Sequence, residues 1–157
     1  MMMNIEYLFY DTCSLLLNTN HLFDNKNQRM VISSITLQEL EEIKTSKHKD
    51  EDLKQSARRL LRELERHQGE YDIHLFQPLM AIPLEVKGFT ITNDLKILAT
   101  AIDYDKNLHP DETVFVTNDL ALKQIAILFF GEDSIWSVNE EELDNYTGYV
   151  EVTMSDE

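Results

Sequence analysis

The sequence predicts an α/β domain built around a mostly parallel sheet. Short, nearly continuously apolar runs, typical of strands buried on both faces, alternate with longer segments whose apolar residues recur every three or four positions. Strands and helices that alternate in this way form a parallel sheet with helices packed on its faces. The length of 157 residues suits one such domain, because a chain of this size can bury a core of its own.

In the first half of the chain, three apolar runs are separated by helical patterns. The predicted strands are Ile5–Tyr10, Met30–Ile32 and Asp72–Phe76. A short helix is predicted at Ser14–Leu17, and Thr36–Glu39 has the form of a capping box that opens a second helix. The clearest helix is Glu51–His67, in which apolar residues form one stripe and Gly69 follows as a helix-ending residue.

The second half of the chain repeats the alternation after an interruption. Two prolines and a glycine predict a loop at Pro78–Gly88. The following elements are a helix at Asp94–Tyr104, a strand at Thr113–Thr117, a helix at Asp119–Phe130 and a strand at Ser134–Val138. We therefore expect one domain over residues 1–139, followed by an acidic tail or linker at 140–157.

The charge of the chain is strongly negative, with 29 acidic and 14 basic residues and a formal net charge of −15. This balance argues against tight, unspecific binding to a phosphate backbone, because lysine and arginine supply that affinity. It does not exclude a nucleic-acid substrate. On the long helix, Arg58, Arg62 and Arg66 recur four residues apart. This stripe is either a solvated face or a contact for a polyanion.

The single cysteine, Cys13, excludes an intramolecular disulfide and a cysteine zinc cluster, and it fits a reducing cytoplasm. The chain offers no activating base beside it, so we expect a small buried side chain and not a nucleophile. The five histidines show no paired ligand spacing, which argues against zinc. No run reaches the roughly 18 apolar residues that span a membrane, and no signal peptide is recognisable, so a cytoplasmic protein is expected.

Four carboxylates lie at predicted strand ends or helix starts. Asp11 ends the first strand, Glu39 falls in the first turn of the second helix, Asp94 opens a helix, and Asp119 lies between the fourth strand and its helix. Each has a simpler interpretation as a cap or turn former. Local capping does not explain why all four fall on one rim of a parallel sheet, where ligands bind beyond the carboxyl ends of the strands.

Convergence of these carboxylates would favour a bound cation. Two carboxylates about 4 Å apart repel by roughly 4 kcal/mol at an effective dielectric constant of 20, so a cluster takes up protons or a cation. A site made only of oxygen ligands suits Mg²⁺ or Mn²⁺. Such ions activate a water and stabilise the leaving oxygen in phosphodiester hydrolysis, which makes a nuclease the favoured function.

At these residues the sequence resembles the PIN-domain family of ribonucleases. The four motifs that carry the resemblance are Tyr10–Leu16, Ile35–Leu40, Asn93–Ala99 and Val116–Leu122. They occur in the family's order within Ile5–Val138, and Cys13 departs from the asparagine or serine usual at its position. Two further segments, Ala57–Leu61 and Tyr146–Gly148, resemble the PIN domains fused ahead of PhoH-type ATPases.

The resemblance implies a three-layer α/β/α sandwich around about five strands and an endoribonuclease that cleaves single-stranded RNA with Mg²⁺ or Mn²⁺. It implies that Asp11, Asp94 and Asp119 hold the ions, with Glu39 as a further ligand or as an orienter of the attacking water. The supporting residues implied are Thr12, Thr117 and Asn118. Homodimers and a fused or separate ATPase partner are further expectations, although the chain lacks the GxxxxGK[ST] loop of such an ATPase.

The arginine stripe adds a separate hypothesis, in which Arg58 and Arg62 contact the RNA backbone. Two other enzyme classes fit less well. A phosphatase of the haloacid-dehalogenase type needs a second aspartate two residues after the first, where this chain has Cys13, and a receiver domain needs an acidic pair there. The alternative that stays open is a catalytically weak PIN-like module that binds RNA or protein.

Overall fold

The sheet of this protein is entirely parallel. The computed structural model describes residues 4–138 of the chain, and within them five strands form one sheet in the order β3-β2-β1-β4-β5. The strands are β1 (Glu6–Tyr10), β2 (Gln28–Ser33), β3 (Asp72–His74), β4 (Thr113–Val116) and β5 (Ile135–Trp136). The predicted parallel sheet of about five strands is confirmed.

Helices cover both faces of the sheet, which gives the predicted three layers. In the described residues they are α1 (Thr12–Leu17), α2 (Ser34–Thr45), α3 (Glu51–Arg66), α4 (Ile82–Val86), α5 (Asn93–Asn107) and α6 (Leu120–Ala126). Successive side chains of a strand point to opposite faces. Accordingly, Leu8 packs with Leu40 and Leu60 of α2 and α3, whereas Phe9 packs with Leu98 and Leu122 of α5 and α6.

The direction of strand order reverses at β1. From β1 the chain continues to β2 and β3 on one side and then returns to β4 and β5 on the other. The crevice at the carboxyl ends of β1 and β4 is therefore the switch point where ligands bind in such sheets. Asp11 lies there directly after β1, and its backbone N–H donates to the carbonyl of Val116 at the end of β4, at 3.1 Å.

The predicted loop at Pro78–Gly88 is wrong, because most of this segment is helical. A 3₁₀ turn spans Pro78–Ala81 and leads directly into α4. Proline is well suited to the first turn of a helix, since its φ is already fixed and its missing N–H would have had no partner there. The prolines therefore begin the helical turns. Gly88 ends them with a φ of 93°, a conformation that glycine adopts without strain.

The predicted start of α2 is also wrong. Ser33 is the N-cap, and its side chain accepts a hydrogen bond from the N–H of Ile35 at 3.1 Å. Thr36 is fully buried inside the helix, so Thr36 and Glu39 do not form a capping box. Glu39 consequently lies in the second turn of α2, where its side chain can reach a neighbouring element instead of its own helix start.

Smaller differences concern the ends of elements. The strand predicted at Asp72–Phe76 stops at His74, and the helix predicted at Asp119–Phe130 stops at Ala126.

Among residues 4–138, no helix is both long enough and apolar enough to cross a membrane. The predicted acidic tail at 140–157 lies outside the described residues.

Candidate functional site

Asp11 is the most buried of the four candidate carboxylates, with 4% of its surface exposed. It caps α1: its Oδ1 accepts a hydrogen bond from the N–H of Ser14 at 2.8 Å. Its Oδ2 accepts one from the hydroxyl of Thr117 at 2.5 Å. This capping role and a ligand role are compatible, because each carboxylate oxygen has a second lone pair.

The fourth motif meets Asp11 from the end of β4. Thr117 is fully buried, and its hydroxyl oxygen accepts a hydrogen bond from the N–H of Asp119 at 3.0 Å. Asp119 is the exposed N-cap of α6, and its Oδ1 accepts from the N–H of Leu122 at 3.1 Å. Asn118 donates its backbone N–H to the hydroxyl of Ser14 at 3.1 Å. The first and fourth motifs are therefore joined side by side.

Glu39 reaches this edge of the sheet from α2. Its Oε1 accepts a hydrogen bond from the hydroxyl of Thr12 at 2.5 Å, and its Oε2 accepts one from the side-chain amide of Asn93 at 3.4 Å. The hydroxyl of Thr36 lies 3.1 Å from that of Thr12. Both carboxylate oxygens of Glu39 are thus tied to other motifs, one at the end of β1 and one at the start of α5.

Asp94 lies in the first turn of α5, behind the N-cap Thr92. Partial burial raises the pKa of Asp94 above its ordinary value of 3.8, and the charges of Glu39, Asp11 and Asp119 raise it further. Three carboxylates from three other elements are therefore close enough to act on Asp94 electrostatically.

Cys13 is exposed, which corrects the prediction that it is buried. It lies among the same charges: partial loss of water raises the pKa of the thiol above 9.0, and Asp11, Asp94, Glu39 and Asp119 raise it further. The thiol is therefore protonated at neutral pH. Since only the thiolate is a good nucleophile, the expectation that Cys13 is not one agrees with these surroundings.

The electrostatics of the site are unbalanced. Within residues 4–138, none of the lysine and arginine ion pairs includes one of the four carboxylates. In the same range, no three histidine, cysteine or acidic side chains stand close enough together to form a ready-made metal site. Glu39 is half-buried and Asp94 and Asp119 are exposed, so their side chains have room to rotate.

Three contributors to this network are absent from the sequence-based prediction: Ser14, Thr36 and Asn93. A signal for Thr36 existed, because a residue three positions before Glu39 shares its helix face.

The two arginines predicted to contact RNA lie on α3. Arg58 pairs with Glu51 of its own helix at 3.7 Å, and Arg62 is exposed. Among the described contacts, neither arginine touches the four carboxylates.

Comparison with known proteins establishes the family of this fold. A family model described as PIN domain matches residues 8–128, which is more than half of the chain. The chain belongs to the PIN-domain family. PIN domains are generally nucleases that use divalent metal ions. No match was found among curated proteins.

A solved structure supports the same fold. This PIN domain resembles a chain in the crystal structure of VapBC2 from Rickettsia felis, with a TM-score of 0.50 and 22% sequence identity. In that structure VapBC2 is bound to a DNA fragment from its promoter. The match covers 85% of this chain and 98% of the other. At this level of identity the likeness concerns the fold.

Proposed function

We propose that this PIN domain is a metal-dependent endoribonuclease that hydrolyses phosphodiester bonds of single-stranded RNA. The observation that carries the proposal is one hydrogen-bond network that joins the four motifs. The hydroxyl of Thr117 accepts a hydrogen bond from the backbone N–H of Asp119 and donates one to the carboxylate of Asp11. The carboxylate of Glu39 accepts hydrogen bonds from Thr12, which follows Asp11, and from Asn93, which precedes Asp94. The network brings the four motifs together at the switch point of the sheet, with Asp119 joined through its backbone N–H and Asp94 through its neighbour Asn93.

The chemistry of the donor set fits Mg²⁺ or Mn²⁺. Asp11, Glu39, Asp94 and Asp119 offer only oxygen atoms, which hard divalent ions prefer. A bound ion would activate a water and stabilise the charge that develops on the leaving oxygen.

Each residue of the candidate site would have its own role in holding the metal ion or positioning its ligands. Asp11 is held by donors on both oxygens and forms the fixed point of the site. Asp94 and Asp119 are exposed and would complete the ligand set by rotating their side chains. Glu39, held by Thr12 and Asn93, would act as a ligand or would orient the attacking water. Thr117 and Asn118 would keep the two strand ends in register.

Calorimetric titration of Mn²⁺ tests the site. We expect the wild-type chain to bind Mn²⁺ and Asp94→Asn to weaken binding about tenfold or more, because a charged ligand is lost. Glu85→Gln is the matched control, since Glu85 is an exposed acidic residue on α4 outside the network. Equal affinity of Asp94→Asn and Glu85→Gln would remove Asp94 from the metal site.

Cleavage of a labelled single-stranded RNA in the presence of Mn²⁺ then tests the reaction. Asp94→Asn should abolish cleavage while thermal unfolding still reports a folded protein. Undiminished cleavage by this variant would contradict the assignment of the active site.

A second candidate function is a PIN-like module that binds RNA or protein with little catalysis. The separation of the carboxylates in the described residues favours it, since no three of them form a compact ligand set. RNA binding by the wild-type chain without Mn²⁺ binding and without cleavage would establish this module in place of the nuclease.

Narrower assignments are part of the proposal. The relationship to PIN domains fused to PhoH-type ATPases rests on the sequences of Ala57–Leu61, which lies in α3, and of Tyr146–Gly148, which lies outside the described residues. A homodimer, an ATPase partner, a cytoplasmic location and RNA contacts by Arg58 and Arg62 likewise stay predictions.

A further inference from the structure

One face of α5 carries three aligned residues, of which Asn93 contacts α2 and Thr100 contacts the carboxyl end of β2. Residues three and four positions apart lie on the same face of a helix, so Asn93, Lys96 and Thr100 are aligned. Asn93 donates to Glu39, and the hydroxyl of Thr100 lies 3.1 Å from that of Ser33 at the end of β2. Lys96 therefore lies on this face between Asn93, which contacts Glu39, and Thr100, which contacts the end of β2.

Phe76 stands next to Lys96 at the same edge of the sheet. It follows the carboxyl end of β3 by two residues, and its backbone N–H donates to the hydroxyl of Ser34 at 2.9 Å. The ammonium of Lys96 lies 6.0 Å from the centroid of the Phe76 ring. The ring is half-buried against the core, and Lys96 is half-buried beside it.

The described contact of the Lys96 ammonium is with an aromatic ring. The formal net charge is −15, yet no carboxylate pairs with Lys96 among the described residues, where its ammonium contacts an aromatic face. A lysine held by a ring keeps its charge and can turn toward a phosphate, which is the more strongly attracting group. When it turns, the face of Phe76 that it covered becomes available to another flat group.

We propose that Lys96 and Phe76 form a nucleotide subsite beside the carboxylates, in which Lys96 binds a phosphate and Phe76 stacks on a base. This inference rests on the proposed function, because it places the strand that Asp94 and its neighbours would cut. A single strand that passes Asn93 at the start of α5 would meet Lys96 three residues further along the same face, and Phe76 beside it. Stacking on an aromatic ring together with a cation on the backbone is how proteins hold single strands without reading their sequence.

Fluorescence anisotropy with a single-stranded RNA oligonucleotide in EDTA tests the subsite without cleavage. Lys96→Ala should weaken binding about three- to tenfold and lower the slope of log affinity against log salt by about 0.7, the contribution of one phosphate contact on a single strand. The matched control is Lys87→Ala. The ammonium of Lys87 lies 5.8 Å from the centroid of the Phe129 ring. Phe129 follows the C-terminal end of α6, whereas Asp119 caps its N-terminal end. The control therefore removes the same charge and the same kind of contact at a different place.

The stacking role is tested by Phe76→Leu, which keeps an apolar side chain against the core. The variant should bind RNA about fivefold more weakly or worse, as expected for the loss of one stacked base. An oligonucleotide scanned with single abasic positions should then lose affinity at one position with the wild-type chain, and no longer lose it there with Phe76→Leu. Thermal unfolding checks that the variant is folded.

The outcomes separate this subsite from the proposed function. If Lys96→Ala and Phe76→Leu bind RNA as well as Lys87→Ala, the subsite is overturned while the nuclease proposal stands. If both weaken binding but Asp94→Asn still cleaves RNA, the subsite stands and the active-site assignment falls. Absence of RNA binding by the wild-type chain overturns the subsite together with the proposed substrate.

Discussion

At Asp11, a buried carboxylate is held by donors from two ends of the sequence. The N–H of Ser14 comes from its own helix, but the hydroxyl of Thr117 is 106 residues away in the chain. A buried charged group that loses a hydrogen-bond partner carries the full cost of its desolvation. Thr117 therefore contributes both to the stability of the fold and to the position of the carboxylate.

Thr117→Val removes this hydroxyl while it keeps the branched shape of the side chain. We expect the free energy of unfolding to fall by about 1–3 kcal/mol, the cost of an unsatisfied buried acceptor. Urea unfolding in EDTA measures the change. Thr117→Ser retains the hydroxyl and should lose much less; equal losses in the two variants would assign the effect to packing.

At the scale of elements, α3 separates side chains that look equivalent in the sequence. Leu60 and Leu61 are neighbours in one apolar run, but Leu60 is fully buried against the sheet and Leu61 is only partly buried. Burial of a whole leucine side chain contributes more than partial burial because more apolar area leaves water. The direction of the helix face, and not the residue type, determines the contribution.

Leu60→Ala should lower the free energy of unfolding by about 2–5 kcal/mol, since it leaves a cavity in the core. Leu61→Ala should cost distinctly less, because its side chain is already in contact with water. Urea unfolding of the two variants compares them directly. Similar losses would mean that α3 does not pack with the orientation described.

The sequence predicted the elements that depend on periodicity and failed where the decision depends on tertiary contacts. Glu51–Arg66 could be recognised because its apolar stripe is regular. The start of α2 could not, since Ser33 and Thr36 are both good caps and only the extension of β2 to Ser33 decides between them. The network around Glu39 depends on packing that joins α1, α2 and α5, which local patterns do not contain.

The four carboxylates were predictable for a different reason. Each follows a strand or begins a helix, and the topology of a parallel sheet gathers such positions at one edge. What the sequence could not provide is their spacing. The distances among Glu39, Asp94 and Asp119 depend on side-chain rotation at partly or fully exposed positions, where packing does not select one arrangement.

On the scale of the whole molecule, the convergence of four elements has an electrostatic cost. The pKa of Asp94 is raised by burial and then by the charges of Glu39, Asp11 and Asp119. A raised pKa means that the folded state binds a proton more tightly than the unfolded state. The charged form of Asp94 therefore destabilises the metal-free fold above this raised pKa, and the penalty disappears as pH falls through it toward 3.8.

Asp94→Asn should consequently raise the Tm of the metal-free protein at pH 7 by about 1–2 °C, a small effect because Asp94 is exposed and water screens its charge. The gain should shrink as pH falls through 3.8 and vanish below about pH 3, where Asp94 is largely protonated in both states. Thermal unfolding in EDTA at the two pH values, with Glu85→Gln as the control, measures it. A gain that persists at the lower pH would exclude charge repulsion as its cause.

The all-parallel sheet also determines when during synthesis the site can form. Parallel neighbours cannot be joined by tight hairpins, so every pairing waits for a crossover to be completed. A nascent chain that has folded β1, β2 and α2 holds Asp11 and Glu39, but Thr117 and Asp119 have not yet been translated. Asp11 gains its second donor, the hydroxyl of Thr117, only when β4 docks beside β1. A growing chain on the ribosome, itself largely RNA, therefore lacks the assembled site until the segment through Asp119 has emerged.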